Sequence, residues 1–83
     1  MSSQVIATIT VIIKDRSESA KKVNAILSDY AQVIVGRLGL PYPNKGLHIV
    51  TLVVDATNDV IGALTGRIGQ LPDVSVKSTL AKI

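Results

Sequence analysis

The sequence contains no cysteine, tryptophan or phenylalanine, and its one histidine is His48. The absence of cysteine excludes disulfides, thiolate zinc sites and a cysteine nucleophile. One histidine does not make a metal site, although two copies of His48 could meet across a symmetric interface. A local hydrogen bond at a strand end is the simpler role for this residue. We therefore expect no metal, no cofactor and no serine–histidine catalysis.

Charge is also sparse. Nine basic and six acidic side chains give a net charge of +3, and Lys21–Lys22 is the one adjacent basic pair. Nucleic-acid binding by the chain alone would need a basic stripe, so we expect none. No apolar run approaches the roughly 20 residues of a membrane span. The run Val5–Ile13 lacks the basic start and cleavage site of a signal peptide, which favours a first strand and a cytoplasmic protein.

Aliphatic side chains are abundant. Hydrophobic residues make up 47% of the 83 positions, with 11 valines and 10 isoleucines against 8 leucines, and the mean hydropathy is +0.41. This β-branched content favours a sheet over a helical bundle. We expect residues 1–83 to form one domain. Such a small core usually needs a disulfide, a metal or a partner subunit, so the composition predicts a homo-oligomer.

The spacing of apolar residues predicts six elements. In chain order they are a strand at 4–13, a helix from about 15 to 31, strands at 33–40 and 47–55, a helix from 57 to about 71, and a strand at 74–80. The turn residues of 41–46 join the second and third strands as a hairpin. The order β-α-β-β-α-β predicts an α+β, ferredoxin-like fold, in which a four-stranded antiparallel sheet carries two helices on one face.

The predicted sheet has apolar side chains on both faces. In Val33–Val35 and Ile49–Val54 both the odd and the even positions are apolar, whereas a solvated face would alternate. Large exposed apolar patches are rare on monomers. We therefore expect the face away from the helices to contact another subunit, the alternative being a merely hydrophobic surface.

The second helix has three glycines opposite its apolar stripe, Gly62, Gly66 and Gly69. Each costs about 0.8–1.0 kcal/mol relative to alanine. We interpret this bare face as a place where a neighbouring helix or a ligand approaches the backbone. The alternative is a weak helix whose glycines are tolerated. The junction before it holds Asp55 and Asp59, but a turn and a helix cap account for this pair without acid–base chemistry.

The loop before the first helix contains Asp15, Arg16 and Ser17. Asp15 can cap the helix, with Glu18 closing a capping box, and Ser17 is an alternative cap. Free amides at this helix N-terminus could bind a carboxylate or phosphate, with Arg16 as counter-ion. The alternative is an ordinary cap with solvated charges.

Two family resemblances follow from these residues. Ile13–Ser17 and the helix containing Val23–Leu27 resemble the opening of ACT domains, with Asp15 and Arg16 matching their turn while Ser17 and Glu18 replace its Pro-Gly. Nearly the whole chain, and Asn58–Gln70 above all, resembles a family of stand-alone ACT-like proteins. Its members are provisionally described as iron-only hydrogenase system regulators and are related to the C-terminal domain of nickel-responsive repressors.

This resemblance implies a non-catalytic regulatory domain, a dimer or tetramer, that senses a small molecule for a transcriptional system. The residues expected to contribute to ligand binding or to the interface are Asp15, Arg16, Ser17, Asn58, Asp59, Gly62, Gly66 and Gly69. Neither the nickel site nor the DNA-binding domain of the repressors has a counterpart here. The alternatives are an adaptor that docks a separate DNA-binding protein, and a dimeric ferredoxin-like barrel enzyme that would have to use His48 and Arg37.

Overall fold

A four-stranded antiparallel sheet carries two helices on one face in the computed structural model, which describes residues 4–14 and 18–81. The elements are β1 (Gln4–Lys14), α1 (Ser19–Asp29), β2 (Ile34–Tyr42), β3 (Leu47–Thr57), α2 (Asn58–Gly69) and β4 (Val74–Ala81). The strands lie in the order β2-β3-β1-β4, and each neighbouring pair is antiparallel. The predicted ferredoxin-like α+β fold is confirmed.

The core fills the space between the helices and one face of the sheet. Because side chains alternate along a strand, the register of β1 on β3 puts one parity of each strand on this face. Its fully buried members on the two central strands are Ala7, Ile9, Val11, Ile13, Val50, Leu52, Val54 and Ala56. The helices contribute Val23, Ile26, Leu27, Ile61, Leu64 and Ile68. Within each helix these residues recur mainly at intervals of three and four, so each helix turns one apolar stripe toward the sheet.

Helix α1 begins later than predicted. Glu18 occupies the N-cap position and makes no side-chain capping bond, so the capping box with Glu18 inside the helix is wrong. The first turn is instead held by a distant contact, because the buried Ser19 Oγ donates a hydrogen bond of 2.6 Å to the carbonyl of Pro72. Beside it, the amide of Lys14 donates to the carbonyl of Asp73 at 3.0 Å. These two bonds join the start of α1 and the end of β1 to the loop between α2 and β4.

Strand β2 continues through Pro41 to Tyr42, beyond the predicted end at Leu40. The proline is tolerated because β2 is an edge strand that is paired on one side by β3, where Pro41 lies opposite His48. The turn is correspondingly short, a 3₁₀ turn at Pro43–Lys45 followed by Gly46. Gly46 has a φ of 63°, the left-handed conformation that glycine adopts without strain.

Helix α2 begins where the sequence predicts. The Thr57 Oγ1 accepts a hydrogen bond of 3.3 Å from the amide of Val60 and so caps the helix. The helix ends at Gly69, two residues before the predicted end at Leu71. Asp59 lies in its first turn, where a carboxylate complements the helix dipole.

Candidate functional site

No described element of the chain packs on the sheet face away from the helices, and we call this face the open face. It carries the strand parity opposite to the core: Ile6 to Ile12 on β1, Leu47 to Asp55 on β3, Leu38 to Tyr42 on β2, and Ser75 to Ala81 on β4. Neither helix packs on this side, because the buried side chains of both face the core. Among the described residues the open face is therefore a sheet face that the fold leaves unpartnered.

Chemistry divides the open face into two halves. The β2–β3 half consists of the open-face side chains of those two strands: Leu38, Leu40, Tyr42, Leu47, Ile49, Thr51, Val53 and, at its far end, Asp55. The β1–β4 half contains Thr8, Thr10, Ser75, Lys77 and Thr79, together with Ile6, Ile12 and Ala81. One half is thus mainly apolar, and the other is rich in hydroxyls and has a lysine near its centre.

Strand β2 is the most exposed apolar element of the described chain. After Ile34 every residue of β2 is exposed. The relative solvent-accessible surface area is 65% for Leu38, 50% for Leu40 and 40% for Tyr42. A bulge between Ile34 and Gly36 inserts Val35, which is 68% exposed. Scattered surface leucines are normal in proteins, but these side chains adjoin one another on one strand. Adjacent exposed side chains of this size form a patch of the kind that marks interaction sites.

The candidate site residues on α2 lie on its solvent side. Asn58 and Asp59 are exposed in the first turn, as are Gly62 and Gly66 further along. A Cβ added at Gly62 or Gly66 would meet nothing within 4 Å, so no described part of the same chain approaches this stripe. A Cβ at Gly69 would instead lie 3.4 Å from Val76 Cγ1 of β4. The close-approach interpretation therefore needs a partner or ligand from outside the protomer.

The loop residues Asp15, Arg16 and Ser17 lie outside the described residues. Of the residues predicted to bind a ligand, the structure therefore describes those on α2 and does not describe those of the loop at 15–17. In the described residues no group of three histidine, cysteine, aspartate or glutamate side chains is arranged to hold a metal ion.

His48 and Arg37 lie on the helix side of the sheet rather than on the open face. Their strand positions are opposite Pro41 and Leu52, which share the parity of the core. The guanidinium of Arg37 donates to the Asn24 side chain at 3.0 Å and so joins β2 to α1. His48 packs beside Gly39, where an added Cβ would lie 3.6 Å from Nε2. Both side chains therefore face away from any cavity that two stacked sheets would enclose.

Arg67 links the two helices through a cluster that sequence reasoning missed. Its guanidinium donates to Asp29 Oδ2 at 3.1 Å and lies 5.5 Å from the centre of the Tyr30 ring. The side-chain interactions of Arg67, mainly with Tyr30 and then with Asp29, raise its pKa above the ordinary arginine value. Asp29 and Arg67 are 38 positions apart, so no local spacing could have indicated the contact. The cluster is exposed, and it holds the C-terminal ends of α1 and α2 together.

Comparison with known families matches residues 5–78 to the TM1266-like family model, described as "Iron-only hydrogenase system regulator, putative". The match covers most of the chain. The chain belongs to the TM1266-like family. This confirms the resemblance to hydrogenase system regulators that the sequence indicates.

A solved structure gives the same result. The uncharacterized protein TM1266 from Thermotoga maritima superposes with a TM-score of 0.93 and 32% sequence identity, covering 96% of this chain and 100% of the other. No curated protein matches the chain. Among the described residues, no helix is long and apolar enough to cross a membrane. The fold of this TM1266-like chain is thus shared with its relative over nearly its full length, and the family description is that of a regulator.

Proposed function

We propose that the protein is a non-catalytic regulatory domain that works as a homo-oligomer and senses a small molecule for the regulation of an iron-only hydrogenase system. The observation that carries the proposal is the open face, and above all the adjacent apolar side chains of β2. The regulatory role is supported by the family description.

Energetics favours association over a monomer with this surface in water. Burial of a leucine or valine side chain contributes about 1.5–3 kcal/mol, and Val35, Leu38 and Leu40 have at least half of this still available. A domain of 83 residues has only modest stability, so a contribution of that size matters to the whole fold. In this chain, which has no disulfides, association with other copies therefore supplies the additional stability.

The positions of His48 and Arg37 argue against the alternative of a dimeric ferredoxin-like barrel enzyme. An enzyme formed by two stacked sheets would line its cavity with open-face side chains. The open face of the described strands offers threonines, Ser75, aliphatic residues, Tyr42, Lys77 and Asp55. His48 and Arg37, the two side chains that such an enzyme would use, lie on the other side of the sheet.

The small-molecule part of the proposal concerns Asp15, Arg16, Ser17, Asn58, Asp59 and the glycines of α2. What supports it is the backbone at Gly62 and Gly66, which is bare and open to approach from outside the protomer. In a homo-oligomer such a face can be completed by the neighbouring subunit. Transcriptional control then requires a separate DNA-binding partner that reads the bound state of this domain.

Native mass spectrometry of the purified protein tests the proposal. We expect masses at two or four times 8.8 kDa, with a non-covalently retained small molecule released on activation. Analytical ultracentrifugation at a protein concentration of about 50 µM should give the same stoichiometry in solution. A single compact 8.8 kDa species in both experiments would contradict the homo-oligomer. A co-purifying DNA-binding protein without any retained small molecule would favour the adaptor instead.

A further inference from the structure

Both edges of the sheet are protected against strand addition. On β2, Pro41 has no amide hydrogen to donate and the bulge at Val35 interrupts regular pairing. On β4, Lys77 lies at the middle of the strand. Prolines, bulges and lysines are the devices by which edge strands avoid pairing with other chains. A contact between copies is therefore expected on a face rather than along an edge.

The β2–β3 half of the open face suits a second copy of the same chain. In a twofold contact, side chains near the axis meet their own copies, so a charge there would face a like charge. Among the described residues of this half the one charged side chain is Asp55, which lies beyond the start of β2 and away from the centre. Each copy carries a net charge of +3, which penalises approach through more basic regions. An uncharged aliphatic half is the surface at which two such copies can meet.

The two halves also determine how far the sheets overlap. With the twofold axis parallel to the strands and centred on the sheet, β2 of one copy would lie on β4 of the other, placing leucines against Lys77 and threonines. With the axis perpendicular to the strands, the two β4 strands would stack and bury both Lys77 side chains. Burial of an unpaired ammonium is costly in either case. An axis that runs between β2 and β3 avoids the cost, because it pairs the apolar halves and leaves β4 in water.

We propose that two copies associate face to face through their β2–β3 halves, offset so that the β1–β4 halves remain solvated. This inference rests on the proposed homo-oligomer and names its surface. Two strands about 10 Å wide and about 30 Å long give a footprint of about 300 Å² per copy, or about 600 Å² in total, which is below the roughly 1,000 Å² of a stable interface and typical of a weak, transient one. The dimer is accordingly reversible, and its dissociation is measurable by dilution.

Sedimentation velocity of matched glutamate variants tests the inference. Leu38→Glu places a charge in the β2–β3 half and should raise the dimer dissociation constant at least about 100-fold. Thr79→Glu places the same charge in the β1–β4 half of the same face and should change the constant less than about threefold. Both positions are exposed in the protomer, so circular dichroism should show both variants folded. Thr79→Glu should melt close to the wild-type temperature, whereas Leu38→Glu should melt somewhat lower because it loses the stabilisation that association provides.

Single cysteines provide a second measurement, since the natural chain has none to interfere. With a short bismaleimide, the dimer of Leu40→Cys should cross-link rapidly and that of Thr79→Cys at least tenfold more slowly. Equal cross-linking would mean that the sheets overlap fully.

The outcomes separate this inference from the function on which it rests. A wild-type dimer that both glutamate variants dissociate would overturn the offset arrangement, as would one that neither dissociates, and in both cases the homo-oligomer would stand. A wild-type chain that stays monomeric would overturn both proposals. Dissociation by Leu38→Glu alone supports the offset dimer.

Discussion

At the scale of single residues, Ser19 makes the contact that sequence reasoning was least able to find. It is buried, and its hydroxyl bonds to the carbonyl of Pro72, 53 positions away. A serine just before a helix usually indicates an N-cap. This serine is instead the first residue of α1 and donates its hydrogen bond to the loop between α2 and β4. The local pattern indicates a polar helix start, whereas the partner depends on how α2 returns to β4.

We expect Ser19→Ala to lower the free energy of unfolding by about 1 kcal/mol, because it removes a partly buried hydrogen bond. Urea unfolding followed by circular dichroism measures the change. Ser75→Ala, at an exposed position on β4, is the matched control and should leave the midpoint unaltered. Equal midpoints for the two variants would show that the Ser19–Pro72 bond contributes nothing to stability.

Arg67→Met should destabilise the protein less than Ser19→Ala does, because the ion pair with Asp29 is exposed on both sides. The pKa of Arg67 is raised in the folded state, so its contribution is fully present below the unfolded pKa and is lost only as pH rises above the ordinary arginine value. The difference between variant and wild type should therefore be the same at pH 6 and pH 9. A difference that shrinks at pH 9 would contradict this assignment.

At the scale of elements, the glycines of helix α2 lower its intrinsic helix stability and leave a bare face that another molecule could contact. These glycines are a local cost, and a Cβ at Gly66 would enter open space in the protomer. Of the three glycines that the sequence places on this stripe, Gly62 and Gly66 border open space, whereas Gly69 lies beside Val76 of β4. The sequence does not predict which of them are unpartnered within the chain, because that depends on where α1 and the sheet lie.

Gly66→Ala should stabilise the protomer by about 1 kcal/mol, because alanine has the higher helix propensity and nothing obstructs the added methyl group. Gly69→Ala should gain less, since its methyl group must fit 3.4 Å from Val76 Cγ1. Chemical unfolding measured under monomeric conditions compares the two variants. A loss of stability in Gly66→Ala would mean that another group of the protomer occupies the space beside Gly66.

Gly66→Leu tests whether something approaches the same stripe in the assembled protein. The larger side chain should still fold, but it should weaken assembly or effector binding more than Gly66→Ala does. Native mass spectrometry reports both stoichiometry and retained small molecule. If stoichiometry and retained ligand are both unchanged, the glycines are simply tolerated and the close-approach interpretation is wrong.

At the scale of the whole molecule, association should depend on salt in a way that reports its apolar character. Two copies of net charge +3 repel each other, and salt screens this repulsion. An aliphatic interface should therefore hold equally well or up to about threefold more tightly in 500 mM than in 50 mM sodium chloride. Sedimentation equilibrium at the two concentrations measures the change. Marked weakening by salt would indicate an interface of ion pairs instead.

The sequence by itself determined the element order, the fold class and the excess of apolar strand surface. Periods of 2 and 3.6 residues are local properties, so they can be read without knowing which strands are neighbours. The tertiary structure decided which parity of each strand faces the helices, and hence that His48 and Arg37 lie away from the open face. It also decided that the apolar open-face residues adjoin on β2 and β3 while Lys77 lies two strands away from β3. Such neighbourhoods depend on pairing between distant segments, and the spacing along one segment does not specify the register of another.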